Sequence, residues 1–364
     1  MQRTKPRIVV VGAGIVGASI VYHLAQRGAS VTVVDATGVA AGATGRAFGW
    51  INIASGASGA YSRLRQPAAA DWRRLEEEFA GALGLRWCGA LTWHRDPAET
   101  ERFVADRLAE GYGVRLVGRE EVATLEPGLA DPPRIAAHAA EEGMLDPVRA
   151  TGVLLRAAED LGAEMHFGAS VQEVVTANGR VWELRTEAGE IAADCVVLAC
   201  GVGARSLLGL LGADLPLHGS PAILLRYRTP APVVRGIVSA PGMEVRQGLA
   251  DILVGAANYV GEGGEDSPEA VAARALATVR RSLRGGHEVT LLDVAVGVRP
   301  MPADRLPVVG PLRAVEGVYL AALHSGVTMA AIVGRLVAEE IKGGHLSDLL
   351  QPFRPERFAE GVSA

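Results

Sequence analysis

The stretch Ile8–Asp35, IVVVGAGIVGASIVYHLAQRGASVTVVD, decides the fold. Its apolar run, Ile8 to Val11, predicts a buried strand that leads straight into Gly12, Gly14 and Gly17, spaced G-x-G-x-x-G. A helix-length segment then reaches a second β-branched run, Val31 to Val34, which ends in Asp35. Each part has a physical purpose in a dinucleotide site. Gly12 allows a sharp turn out of the strand, Gly14 lets the backbone approach a pyrophosphate, and Gly17 lets the helix pack close to the sheet. The helix N-terminus offers N–H groups and a partial positive charge to the phosphates. Asp35 stands where a carboxylate can accept hydrogen bonds from the hydroxyls of an adenosine ribose. A glycine-rich turn without a ligand would need neither the flanking strand and helix nor the acid at this distance.

Composition bounds the rest. A chain of 364 residues predicts one large domain or two, and 49% hydrophobic residues supply a sizeable interior. The net charge of −5 and the lack of a basic cluster argue against nucleic acid as a partner. Cys88, Cys195 and Cys200 have neither metal-site nor disulfide spacing, so no metal is expected and a reducing cytoplasm is. Arg3, Lys5 and Arg7 precede an apolar run as in a secretory signal, but cleavage there would destroy the glycine fingerprint. No apolar run is long enough to span a bilayer.

Further along, Ala36–Gly49 is rich in small residues, which permits close backbone approach and anion binding by N–H groups. The spacing of Leu64, Trp72, Leu75 and Phe79 predicts a helix over Tyr61–Phe79. Segments 86–94, 97–112 and 114–140 read as strand, helix and mixed elements. Asp146-Pro147 is a helix start, with the helix running to about Leu161. Strand-like runs follow at Glu164–Val175, Arg180–Thr186 and Ile191–Cys200, with Asn178-Gly179 as a hairpin turn between the first two. Gly201 and Gly203 open a helix towards Leu211, but Ser206 at the third glycine position argues against a second nicotinamide site. From Pro216 to Val298 strands predominate, with one helix at about Pro268–Leu283; then come a strand at Val318–Ala322 and a turn and helix over His324–Ile341. There is no long linker and no internal repeat.

These residues resemble the D-amino-acid oxidase superfamily of FAD enzymes, and within it the glycine oxidase and sarcosine oxidase group. The resemblance covers nearly the whole chain. It rests on Gly12-Ala-Gly14-Ile-Val-Gly17 with Asp35, Ala43-Thr44-Gly45-Arg46, Val171, and Val196-Val-Leu-Ala-Cys-Gly201. It also rests on Gly297-Val-Arg299-Pro300 with Asp304, Pro307 and Gly310, and on His324-Ser-Gly326-Val-Thr328. It implies an α/β (α+β overall) protein with a Rossmann-like FAD domain beside a second domain built on a large antiparallel sheet. The discontinuous FAD domain would take residues 1–85, 145–215 and 295–364, and the substrate domain 86–144 and 216–294.

By that similarity FAD is bound without a covalent link, because the cysteine or histidine that attaches it in some relatives is missing from the matching stretches. Gly12, Gly14, Ile15, Val16 and Gly17 would form the phosphate turn, with Asp35 and Ala36 at the ribose and Ala199 and Gly201 at the neighbouring strand end. Ala43, Thr44, Arg46 and Ala47 would lie along the pyrophosphate and ribityl chain, and Phe48, Gly49 and Trp50 near the flavin ring. Val171 would reach the adenine end through its backbone. His324, Ser325, Gly326, Val327, Thr328 and Met329 would bring the last helix's first turn to the flavin's N1 and C2 carbonyl. Independently of any relative, a helix N-terminus stabilises the negative charge left there on reduction.

Arg299 is the resemblance's residue for the substrate carboxylate, a role that suits a planar guanidinium because two parallel N–H···O bonds fix orientation. The competing role is a structural ion pair with Asp304 or Asp293. A second arginine of glycine oxidases is replaced by Gly326 here, which makes Arg46, His218, Arg226 and Tyr259 candidate helpers. The only lysines are Lys5 and Lys342, and neither is placed like the lysine that sarcosine oxidases hold over the flavin. The electron acceptor is therefore oxygen or another molecule. The expected substrate is glycine, an N-substituted glycine or a related small amino acid. The alternatives are a 2-hydroxy-acid dehydrogenase of the same fold and a flavin-binding subunit of a larger dehydrogenase; a homo-oligomer is also open.

Overall fold

The structure is a computed structural model that describes residues 6–54, 59–259 and 267–358. Lys5 lies outside the described residues. The chain is a mixed α/β protein built on two large sheets.

The first has six strands, in the order Val308–Pro311, Val318–Ala322, Cys195–Leu198, Arg7–Val11, Ser30–Asp35 and Glu164–Phe167. All neighbours pair in parallel except the edge strand Val308–Pro311. Arg7–Val11 is central and covered on both faces, which is why it reads as an unbroken apolar run. One face carries the helices Ile15–Gln26, Pro147–Asp160 and Gly326–Gly343, packed through Ile20, Leu154 and Ile332. The other carries the helix Ala204–Leu210 and a three-stranded antiparallel sheet, packed through Leu208, Val174 and Leu184. Asn178 and Gly179, both at positive φ, make that sheet's hairpin turn. Asp146 caps its helix by accepting from Val148 N at 2.9 Å and Arg149 N at 3.1 Å, with Pro147 at the first position.

The second sheet has eight strands: Thr290–Pro302, Leu217–Arg228, Ile252–Asn258, Met243–Gln247, Ile237–Ala240, Ala90–Thr92, Ile135–Ala139 and Val114–Gly118. It is antiparallel except where Ile237–Ala240 meets Ala90–Thr92. Alternate residues such as Ile223, Leu225, Tyr227, Val245 and Leu253 pack against the helix Pro268–Ser282. Their neighbours face the nucleotide-binding side: a Cβ on Gly297 would come within 2.8 Å of the Arg46 Cβ.

Four sequence expectations are refined. Tyr61–Phe79 is two helices, Ala60–Arg65 and Ala68–Glu78, because Pro67 interrupts the backbone ladder. Glu164–Val175 divides into Glu164–Phe167 and Val171–Ala177, with Gly168 at positive φ between them. Ile191–Cys200 also divides, its first part completing the small sheet and its second entering the parallel one. Thr290–Pro302 belongs to the eight-stranded sheet throughout, so a division at 294/295 would pass through the middle of a strand.

Candidate functional site

The phosphate turn is built as its glycines require. Gly12 has φ +114°, and a Cβ there would lie 2.6 Å from the Ala199 carbonyl oxygen. A Cβ on Gly17 would lie 2.0 Å from the Gly12 carbonyl oxygen, so only glycine permits this approach of helix to turn. Gly14 differs, since its nearest obstacle is the Thr44 hydroxyl at 3.0 Å. That hydroxyl, on the short helical turn Ala43–Arg46, accepts from Ile15 N at 3.0 Å and so ties the small-residue segment to the helix's first turn. Asp35 is fixed at its strand end: one carboxylate oxygen accepts from Ala13 N at 2.8 Å, the other from Thr37 N and Gly38 N at 2.8 and 2.9 Å. Val171 begins the strand beyond Gly168, and Ala169 N donates to the Asp35 carbonyl at 3.1 Å, so this segment lies beside the same strand end.

A second helix N-terminus meets the first. Gly326 stands against Val16, to whose Cγ2 a Cβ would come within 3.4 Å. Ser325 occupies the left-handed region at φ 58° and does not cap the helix with its side chain. Its hydroxyl lies 3.3 Å from His324 Nδ1 and accepts from Arg65 Nη1 at 3.3 Å. Thr328 Oγ1 accepts from Asn52 N and donates to the Trp50 carbonyl, both at 3.2 Å. Met329 is fully buried.

Between the helix ends runs the segment from Ala47 to Ala54, held by partners that sequence reasoning missed. Arg246 donates to the Phe48 carbonyl and lies over the Phe48 ring. Burial pushes its guanidinium down to about 10. Gly49, at φ 82°, sits against Leu145, whose carbonyl a Cβ would meet at 2.2 Å. Buried Glu142 accepts from Trp50 Nε1 at 2.8 Å, Ile53 N at 2.8 Å and Ala54 N at 2.7 Å. Buried Arg65 donates to the Asn52 carbonyl. No pattern along the chain signals these groups, because their partners are remote in sequence.

Arg299 stands on the edge strand of the eight-stranded sheet. Its Nε and Nη2 donate to Ser220 O at 3.3 Å, Ser220 Oγ at 2.9 Å and Pro221 O at 3.3 Å. The expected ion-pair competitors are engaged elsewhere, Asp304 with Arg357 at 2.7 Å and Asp293 with Arg226 at 2.6 Å. Among the described residues no carboxylate forms an ion pair with Arg299, and Nη1 faces His324 Nε2 at 3.5 Å. Burial, then the nearby cations Arg299, Arg65 and Arg305, push His324 down to about 4, so it is neutral at physiological pH.

The proposed helpers are not brought together. Arg46 folds back onto the carbonyls of Ala41 and Gly42 and is exposed. Arg226 is held by Asp293 and also donates to Gly45 O at 3.4 Å. Tyr259 packs into the core behind the sheet, and His218 is exposed on the Arg299 side of its strand. Lys342 is exposed in the closing helix's last turn, about 24 Å along the axis from Gly326. Among the described residues no cluster of three or more histidine, cysteine or acidic side chains could hold a metal. Nor is any helix among them long and apolar enough to cross a membrane.

Two helix N-termini without side-chain caps, converging beside a glycine cradle and a fixed aspartate, fit a dinucleotide whose far end accepts negative charge. The comparisons agree. The family described as DAO, FAD dependent oxidoreductase, matches residues 7–340. The uncharacterized oxidoreductase YurR of Bacillus subtilis is 29% identical, over 95% of this chain and 98% of its own length. The structure of iminodiacetate oxidase from Chelativorans sp. BNC1 superposes with a TM-score of 0.84 at 26% identity, covering 96% of this chain and 99% of that one. Glycine oxidase from Geobacillus kaustophilus, at 24% identity, shares the fold with a TM-score of 0.88 over 97% of this chain and 99% of its own. The chain belongs to the DAO family of FAD-dependent oxidoreductases, whose amino-acid-oxidising members its architecture matches from end to end.

Proposed function

We propose that this enzyme oxidises the C–N bond of glycine, an N-substituted glycine or a related small amino acid. One observation carries the reading: Arg299 turns Nη1 toward His324 and forms no ion pair with a carboxylate among the described residues. Ser220 and Pro221 hold one side of the guanidinium through neutral oxygens, so its charge remains available for a substrate carboxylate. His324, kept neutral by its surroundings, adds no competing positive charge. The relative named as an iminodiacetate oxidase supports the substrate class, because iminodiacetate is itself an N-substituted glycine.

FAD, when bound, would supply a two-electron acceptor for the hydride on the substrate's Cα, and water would split the resulting imine to an oxo acid and an amine or ammonia. The protein's part is orientation. Arg299 fixes the carboxylate end, and the eight-stranded sheet covers the substrate from one side. The cradle Gly12–Gly17, Asp35, Thr44 and the first turn Gly326–Met329 would hold the cofactor, the last turn offering N–H groups where charge accumulates.

Anaerobic reduction of the bound flavin by a panel of N-substituted glycines, glycine and lactate-type acids tests the assignment. Bleaching by the amino acids is the expected result. Bleaching by 2-hydroxy acids alone overturns it, and bleaching that requires an added partner protein makes this chain one subunit of a larger enzyme. The flavin should also be released on acid precipitation. Burial pushes the Cys200 thiol beside the glycine turn up to about 12, so it supplies no thiolate for attachment. Colour retained in the precipitate would contradict this.

A further inference from the structure

The strand Met243–Gln247 carries a carboxylate with no role in the site as described so far. Met243 and Val245 are buried in the core behind the eight-stranded sheet, so alternation turns Glu244 to the opposite face. That is the face from which Arg246, two residues on, reaches Phe48. The register carries it across the sheet: Glu244 pairs with Ala256, Ala256 with Leu224, and Leu224 with Ala295. Ala295 lies four residues before Arg299 on one strand, hence on the same side. The side chains on this face between the two charged groups are uncharged: Ala222, Leu224, Ala256 and Ala295.

Glu244 is half-buried, and no described residue donates a hydrogen bond to it. Its strand neighbours Ser239 and Ala256 do not titrate, and Arg246 is turned toward Phe48. Among the described residues Arg299 is the one charge that acts on it, yet the two form no ion pair. Burial raises the carboxyl to about 7, the signature of a charge that lacks a partner.

We propose that Glu244 receives the positively charged nitrogen of the substrate, so that Arg299 and Glu244 together select zwitterionic amino acids. The inference rests on the amino-acid reading above and sharpens it to the recognition of nitrogen. A carboxylate bound at Arg299 presents its amino group a short distance further along the same face. An N–H donor there satisfies an otherwise unpartnered acceptor. A 2-hydroxy acid offers the Glu244 carboxylate a neutral O–H in place of a charged N–H, and an ether acid offers no donor at all, so the site favours the ammonium.

The test compares N-methylglycine with its ether isostere methoxyacetate on the anaerobic holoenzyme. Affinities come from the concentration dependence of flavin bleaching, or from the shift of the oxidised flavin spectrum where no bleaching occurs. Glu244→Gln should bind N-methylglycine about ten- to a hundredfold more weakly. It should bind methoxyacetate equally well or more tightly, because a negative charge has been removed from the anion's surroundings. In the wild-type protein, affinity for N-methylglycine should fall as pH drops below about 7 while that for methoxyacetate does not fall. This second measurement needs no variant and decides the matter if Glu244→Gln misfolds. Equal loss of both ligands would make Glu244 structural, and unchanged binding of both would put it out of reach; either overturns the proposal. If N-methylglycine binds in a Glu244-dependent way but never bleaches the flavin, nitrogen recognition stands and the oxidation reading fails. Bleaching that is indifferent to Glu244 gives the converse.

Discussion

Gly14→Val is expected to give a folded, colourless protein. The substitution separates the cofactor from the scaffold because Gly14 is the one fingerprint glycine that the fold itself does not require. Its conformation is one that any residue adopts, and the nearest obstacle to a Cβ is the end of the Thr44 side chain at 3.0 Å. The cost to the fold should stay within the ~1–3 kcal/mol of a local overpacking. The pyrophosphate has no such latitude, because branched methyl groups at the helix entrance occupy the space where its oxygens meet the backbone N–H groups. FAD affinity should drop at least about a hundredfold. Absorbance of the purified protein checks the loss, and far-ultraviolet circular dichroism with thermal melting checks the fold. Gly12→Val provides the contrast. There φ is +114° and the Cβ meets main-chain atoms of Ala199 and Cys200 within 2.8 Å, so loss of the fold itself is expected. A folded Gly14→Val protein with full flavin content would mean that the pyrophosphate lies elsewhere.

The fingerprint was legible because its meaning is local. A strand, three glycines, a helix and an acid follow one another within 28 residues, and each constrains the next through backbone geometry alone. The Asp146 cap and the Asn178-Gly179 turn were legible for the same reason. What holds the segment around the site was not. Glu142 binds Ile53 and Ala54 from 89 and 88 positions away, Arg246 binds Phe48 from 198, and Arg65 reaches Ser325 across 260. None of these residues stands in a motif, and each acquires its partner only when segments far apart in the chain come together. The candidate helpers show the same limit, since only register and face give Arg226 to Asp293 and Tyr259 to the core. Glu244 illustrates the reverse case. It lies in an unremarked strand, and its significance comes from sharing a face with Arg299.

Arg299→Lys should leave the flavin in place and cut kcat/KM for amino-acid substrates by roughly thirtyfold to several thousandfold, or about 2–5 kcal/mol. Lysine keeps the charge but not the planar guanidinium, whose anchoring on one side fixes where the remaining N–H groups point. In the wild-type arrangement Nε and Nη2 rest on Ser220 and Pro221 while Nη1 is turned toward His324. An ammonium cannot satisfy those oxygens and still direct N–H groups at a ligand as Nη1 can. The half-buried site also disfavours the charged form, as the lowering of the arginine's own ionisation shows, and a lysine there is more easily neutralised. The lysine variant should therefore lose further activity as pH rises through a range where wild type keeps its own. The loss belongs in kcat/KM because a substrate loose at its carboxylate rarely presents Cα–H in a reactive position. An amine without a carboxylate, slow in both proteins, should lose little more in the variant. Measuring both substrates in both proteins separates binding from scaffold. An equal drop for the two, or unfolding, would make Arg299 a fastener between the strands Leu217–Arg228 and Thr290–Pro302, and the carboxylate anchor would have to lie elsewhere on the sheet face that carries Glu244.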